Sequence, residues 1–213
     1  MRVNELFTDE MIDEDIRKTL GAAMLGGALL ATPVGHSVVK DQPAATSYSR
    51  DVAVLTATIW GEARGHGAEG MNAVGHVIKN RVDAHKKMFG IGLPGVIKKD
   101  KQFSCWNSGD PNRAAIKDMA NIWAMVRDRR APDGRDFDEW FAEFKTSGSY
   151  RDFVAWQKAN KIAREILSDK SPDPTNGAVY YHTTAVKPYW ASEMVPVSKV
   201  ANHIFYSLPS KNS

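Results

Sequence analysis

The sequence predicts an α+β domain, mainly α, with a small antiparallel β-sheet near the C-terminus. Three observations carry this. Apolar residues recur three to four apart through most of residues 50–167, the spacing of one face of a helix. Beyond Pro172, Asp173 and Pro174 the pattern changes to strand-type alternation, in residues 178–183 and 200–206. A hydrophobic content of 43% with 25% charged residues is that of an ordinary globular protein, so a real core is affordable over 213 residues.

Residues 1–46 read as a leader and linker, and residues 47–213 as the folded domain. Within the leader, residues 19–39 carry no formal charge and are flanked by Lys18 and Lys40. A run of 21 residues is long enough to cross a bilayer as a helix. Its glycines, Pro33 and His36 make it a poor span, and six acidic residues precede it where a secretory signal carries positive charge. An export anchor, a segment docking on a protein assembly through its small-residue face (Ala22, Ala23, Gly26, Gly27), and a flexible tether all fit. Membrane or assembly contact is therefore expected through residues 1–40. The stretch at 41–49 has linker composition, and the domain boundary falls near Ser47.

In the domain, Val52, Leu55 and Ile59 predict a helix over 50–60, and Met71, Val74, Ile78 and Val82 a second over 68–82. The polar face of the second, Glu69, Asn72, His76 and Asp83, starts beside Glu62 and is either a groove lining or simply solvated. A glycine-bearing stretch at 90–95 is followed by a basic turn at Lys98, Lys99 and Lys101. Asp110 with Pro111 predicts a capped helix start, continued by Ile116, Met119, Trp123 and Val126. Phe137, Trp140, Phe141 and Phe144 give a short amphipathic helix. Phe153, Trp156, Ala163 and Ile166 face inward from a last helix over 150–167.

Net charge is +3, divided as −2 over residues 1–40 and +5 over the rest. A mildly cationic body suits an acidic polymer such as a bacterial cell wall, and equally plain solubility. No Lys/Arg stripe with interleaved aromatics is present, so nucleic acid is not an expected partner. Cys105 is the single cysteine, which excludes an intramolecular disulfide and a multi-cysteine zinc site. No metal and no cofactor are expected.

The chain is organised around Glu62. It stands where an apolar helix runs out, just before Gly65 and Gly67. Apolar neighbours such as Ile59 and Trp60 would desolvate a carboxyl there, and desolvation favours the protonated form that a general acid needs. A salt bridge to Arg64 is the plainer reading of the same residue. Downstream, Gln102, Phe103, Ser104, Cys105, Trp106 and Asn107 form a polar-aromatic loop. Ring faces flanked by amides are what a sugar-binding cleft uses, although Phe103 fits a core anchor equally well.

The stretch EARGHGAEGMNAVGHVIKNRV at 62–82 resembles the signature of SleB-like cell wall hydrolases, the catalytic domain of spore-cortex-lytic enzymes. The resemblance continues in order through QFSCWNSGDPNR at 102–113, DPTNGAVYYH at 173–182, KPYW at 187–190 and NHIFY at 202–206, covering roughly residues 50–210. It implies a lysozyme-like, mainly helical fold, action on peptidoglycan, and Glu62 as the catalytic acid/base. It also implies that Glu69, Gln102, Phe103, Ser104, Trp106, Tyr181 and His182 contribute to substrate binding. It places the work at the cell wall, in the periplasm or outside the cell, and the leader leaves room for virion association or a membrane anchor. Residues 128–150 have no counterpart in the pattern and read as an insertion.

A glycosidase normally needs two carboxylates flanking the bond. No second acid stands out in a matched block, since Glu69, Asp110 and Asp173 have easier roles as caps or surface charges. A lytic transglycosylase needs one, and is the favoured reading, with muramidase hydrolysis its close neighbour. Two other classes compete. A zinc amidase would draw ligands from His66, His76, His182 and His203, but their spacing matches no metal motif. A non-catalytic wall-binding or virion module would keep the fold without the chemistry. Deletion of residues 1–46 is expected to leave a folded, active domain, read by thermal melting and by clearing of peptidoglycan in a gel. A remainder that unfolds would place the leader in the core.

Overall fold

The computed structural model describes residues 47–209, and the leader expected over 1–46 lies outside the described residues. The first helix, α1 (Ser47–Ala63), is apolar on nearly every side, and a helix of that kind belongs at the centre of a core. Val52, Leu55, Ala57, Ile59 and Trp60 are buried. Two buried threonines interrupt the apolar surface. The Thr56 and Thr58 hydroxyls donate to the carbonyls of Val52 (2.7 Å) and Val54 (2.8 Å), one turn back. Each oxygen keeps lone pairs for a long-range partner. Thr56 receives Asn160 Nδ2 at 3.2 Å, and Thr58 receives Trp106 Nε1 at 2.9 Å.

A turn with Gly67 at φ +69° leads into α2 (Gly67–Asp83). That backbone conformation is open to glycine at no steric cost. Met71, Val74 and Ile78 face inward as expected. Residues 90–97, for which no element was expected, contain a six-residue helix, α3 (Gly92–Ile97), whose Leu93, Val96 and Ile97 are buried. Its Pro94 sits in the first turn, where a missing N–H costs nothing. The helix α4 (Pro111–Arg127) is capped by Asp110, which accepts from Asn112 N at 2.8 Å. The stretch at 128–150 holds α5 (Phe137–Phe144), capped by Asp136 through the N–H groups of Asp138 and Glu139. Its Trp140 and Phe144 are buried and join Tyr150 and Phe153 of α6 (Ser149–Leu167) in one aromatic pile. This stretch therefore adds to the core. Trp60 and Trp156 pack edge to face at 5.7 Å where α1 meets α6.

The sheet has three antiparallel strands, β1 (Tyr180–Thr183), β2 (Val195–Val200) and β3 (His203–Ser207), in the order β1-β3-β2. The strand expected over 200–206 is corrected here. Ala201, at φ +50°, and Asn202 form a tight turn that divides it, and β2 precedes the turn. Pro196 hides β2 in the sequence, but the ladder shifts register between Pro196 and Ser198, and such bulges tolerate proline. Ala178, Val200 and Phe205 pack on Ala73 and Val77 of α2. Among the described residues no helix is long and apolar enough to cross a membrane.

The turn into β1 is wound around Asp173. Its carboxylate accepts from Thr175 N (2.7 Å), Thr175 Oγ1 (2.6 Å), Gly177 N (2.8 Å) and Asn80 Nδ2 (3.0 Å). Burial pushes the Asp173 carboxyl up, but the bonds from Thr175, Asn80 and Gly177 outweigh it and hold it below the usual carboxylate range. A depressed folded value gives stability that is present above the unfolded value and lost as pH falls through the folded one. Asp173→Ala is expected to cost about 1–3 kcal/mol at neutral pH, the price of stranded donors. Urea melts should show the gap between wild type and variant steady above about pH 5 and closing below about pH 4.

Candidate active site

Glu62 occupies the last turn of α1 and is half-buried. Its Oε1 accepts from Cys105 N at 2.9 Å and from Ser104 Oγ at 3.3 Å, and its Oε2 from Tyr181 OH at 3.4 Å. Three parts of the chain, separated by more than forty residues each, thus converge on one carboxylate. The expected apolar enclosure is corrected. Ile59 points toward Gly75, and Trp60 packs on Trp156, so polar donors surround the carboxylate instead. Arg64 is not its partner. The guanidinium lies 4.4 Å over the Trp60 ring, donates to Asn112 Oδ1 (2.7 Å), and pairs with Asp152 at 3.9 Å.

The donor turn, a 3-10 turn over Ser104–Trp106, is seated on α1 at two points one helical turn apart. Trp106 Nε1 reaches Thr58, and Cys105 N reaches Glu62. Between them Gly61 lets the chains touch. A Cβ there would lie 2.7 Å from Cys105 Cβ, 2.9 Å from its Sγ and 3.0 Å from Ile116 Cδ1.

Arg81 joins the donor segments from behind. It is buried, donates through Nε to Val179 O (2.7 Å) and through Nη1 to Gln102 Oε1 (2.9 Å). The rings of Phe103, Tyr180 and Phe89 stand 5.1, 5.6 and 5.7 Å from its guanidinium carbon. Burial lowers its pKa, and the neighbouring Tyr181, Tyr180 and Glu62 oppose that. An arginine begins so high that it keeps its charge.

The two other titratable groups beside Glu62 are held neutral. Burial, then the negative charge of Glu62, raises the Tyr181 phenol well above its ordinary value and raises the Cys105 thiol likewise. Cys105 is therefore no thiolate nucleophile, and Tyr181 remains a hydroxyl that both donates and accepts. Behind Tyr181, His203 packs edge-on to its ring at 5.4 Å and to His66 at 4.5 Å. Burial, then repulsion from His66 and His182, lowers the His203 pKa.

The expected site residues divide. Ser104 and Tyr181 touch Glu62. Gln102 and the buried Phe103 stand behind, through Arg81. Trp106 is a buried anchor rather than an open ring face. His182 lies on the opposite face of β1 from Tyr181, because successive strand residues alternate. Its ring bonds Tyr206 OH at 2.8 Å, away from the carboxylate. Glu69 is exposed and makes no hydrogen bond to this group. The polar face of α2 turns to the loop after α6, where Asn72 and His76 meet Ser171. Among the described residues no three His, Cys, Asp or Glu side chains gather to hold a metal ion.

Sequence reasoning missed Gly61, the Cys105 backbone N–H and Arg81. A signal for Arg81 was available, since it continues the inward series Met71, Val74, Ile78 at helical spacing. The other two are backbone properties, to which side-chain chemistry gives no clue.

Comparison with protein-family models gives a match over residues 65–206 to the model described as Cell Wall Hydrolase, starting three residues after Glu62. Comparison with curated protein sequences gives no match. Among solved structures, the catalytic domain of the germination-specific lytic transglycosylase SleB from Bacillus anthracis is similar at 20% identity, TM-score 0.44, over 83% of this chain and 100% of that one. The catalytic domain of the Bacillus cereus SleB protein is similar at 21% identity, TM-score 0.41, over 85% and 100%.

Gly61→Ala is expected to keep the fold while forcing the Cys105 turn off Glu62. Overpacking of this kind costs about 1–3 kcal/mol, and a displacement of about 1 Å costs up to about a hundredfold in turnover. Adding Cys105→Gly removes the colliding Cβ and should restore part of both, as read by thermal melts and turnover. A double variant no better than the single would show that the collision is not the cause.

Proposed function

We propose that this chain, which belongs to the cell wall hydrolase family, cuts the glycan strand of peptidoglycan between muramic acid and glucosamine units, with Glu62 as its one acid/base. The convergence of three donors on a single half-buried carboxylate carries this reading. The two carboxylate oxygens are not equivalent. Cys105 N–H can only donate, so Oε1 is fixed as an acceptor. Among the described residues the hydrogen-bond partner of Oε2 is the Tyr181 hydroxyl, which can turn and accept. Oε2 is thus the oxygen able to carry a proton and to release it.

With a sugar bridge at Oε2, Glu62 gives its proton to the glycosidic oxygen. The bond to C1 breaks and the glucosamine end leaves as an alcohol. The muramic C6 hydroxyl then attacks C1 and returns its proton to Glu62, closing a 1,6-anhydro ring. No water is consumed and no second carboxylate is needed, which suits the site. Asp110, the other acid whose charge acts on Cys105, is engaged as the cap of α4. Cleavage of the muramoyl–peptide amide by zinc needs about three ligands in one place. The four candidate ligands are divided between the His66–His203 pair, the Asp173 turn, which His76 faces, and the far face of the sheet, which holds His182.

Glu62→Gln keeps the shape but cannot deliver a proton. The variant is expected to fold, to bind sacculi and to lose at least about a hundredfold in activity, the lower end of what general acid–base catalysis contributes. Mass spectrometry of wild-type digests should then find anhydro-muropeptides. Reducing muramic ends would assign hydrolysis to the same glutamate. Free stem peptides, or a Glu62→Gln protein that still clears peptidoglycan, would end this reading.

A further inference from the structure

The face of the sheet turned away from Glu62 holds a cavity of about 650 Å³. Its floor is His182, Ile204 and Tyr206, Pro196 forms one wall, and the arm at 184–192 overhangs it with Lys187 and Tyr189. Pockets of some hundreds of Å³ are the size that takes a small ligand. Three features of the lining say what kind.

Lys187 is the one formally charged side chain that lines the cavity, and among the described residues it has no ion-pair partner. Tyr189 is 86% exposed and Val186 55%, large apolar groups left open on the same arm. The floor presents an acceptor. His182 Nδ1 lies 2.8 Å from the Thr183 carbonyl, which can only accept, so that nitrogen carries the proton. Nε2 lies 2.8 Å from Tyr206 OH, and the tyrosine oxygen keeps a lone pair for another donor. A cation, apolar walls and a buried acceptor suit a short peptide with small apolar side chains and free carboxylates. They suit a sugar poorly, since its many hydroxyls would meet Val186, Pro188, Ala191, Pro196 and Ile204.

The position agrees with that chemistry. β1 is an edge strand, with Tyr181 directed to Glu62 and the next residue, His182, to the cavity. Peptidoglycan carries short acidic, alanine-containing peptides along its glycan. At roughly 3.3–3.6 Å per extended residue, four residues reach about 14 Å.

We propose that this cavity binds the stem peptide of the substrate, so that the enzyme reads the peptide on one face of β1 while cutting the glycan on the other. The proposal rests on the peptidoglycan reading above for its choice of ligand. The test is chosen so that the two fail separately. A synthetic acidic, alanine-containing tetrapeptide without sugar is titrated into the full-length protein and followed by NMR. Saturable shifts are expected, weakened about tenfold by Lys187→Glu. In parallel, cleavage of stem-bearing sacculi is compared with cleavage of strands stripped of their peptides. The preference for stem-bearing substrate should fall by about tenfold in Lys187→Glu and in Tyr189→Ala, both exposed substitutions checked by thermal melting. No saturable titration, an equal affinity in Lys187→Glu, or an unmoved preference would overturn the proposal. An equal loss on both substrates would also overturn it, and would place glycan in the cavity instead. If no glycan is cut at all, the Glu62 reading falls and the peptide titration still decides the cavity.

Discussion

The close seating of the Ser104–Trp106 turn on α1 is the constraint on which the candidate site depends. An isolated glutamate at a helix end is a mobile surface group. Here its orientation is set because a backbone N–H, which cannot rotate away, meets it at 2.9 Å. That contact exists because position 61 lacks a Cβ and because Trp106, one helical turn back, is tied to a buried threonine. The missing side chain, the threonine and the tryptophan are energetically one unit. Loss of any member loosens the carboxylate without touching it.

Arg81 extends the same logic from packing to electrostatics. Burying a guanidinium is costly unless its donors are satisfied. A carbonyl, an amide oxygen and three ring faces take on that task, and they come from the loop before the donor turn, from the start of β1 and from Phe89 before α3. Moving either donor segment away from Glu62 would leave a buried charge short of partners. Gln102 and Phe103, expected at the substrate, act in this way one layer behind it. The sheet and the helical body are thereby held in a fixed relation although β1 has only four residues.

Much of this was legible in the sequence where side-chain periodicity carried it. The inward series of α1, α2, α4 and α6, the Asp110 cap and the antiparallel sheet all follow from spacing and turn chemistry. Glu62, Ser104 and Tyr181, whose side chains meet, were singled out because they fall in chemically distinctive blocks. The errors have physical causes. Phe103 and Trp106 alternate with polar neighbours in a way that does not reveal which side is solvent, and each is a core anchor. Tyr181 and His182 were placed in one cleft although adjacent strand residues cannot share a face. β2 was concealed by a proline that a bulge accommodates, and α3 by glycines around a short apolar run. The aromatic stripe within residues 128–150 finds its partners in α6 and the core, contacts that sequence spacing does not show.

The thiol of Cys105 has a practical consequence. It is fully buried at the centre of the donor turn, its pKa is raised, and it is the only cysteine in the chain. An alkylating reagent can reach it only when the turn lifts from α1. Labelling kinetics at this one sulfur therefore report the free energy of local opening at the carboxylate, apart from global unfolding. The protein carries its own clock for how often its site comes apart, with no probe to be engineered in.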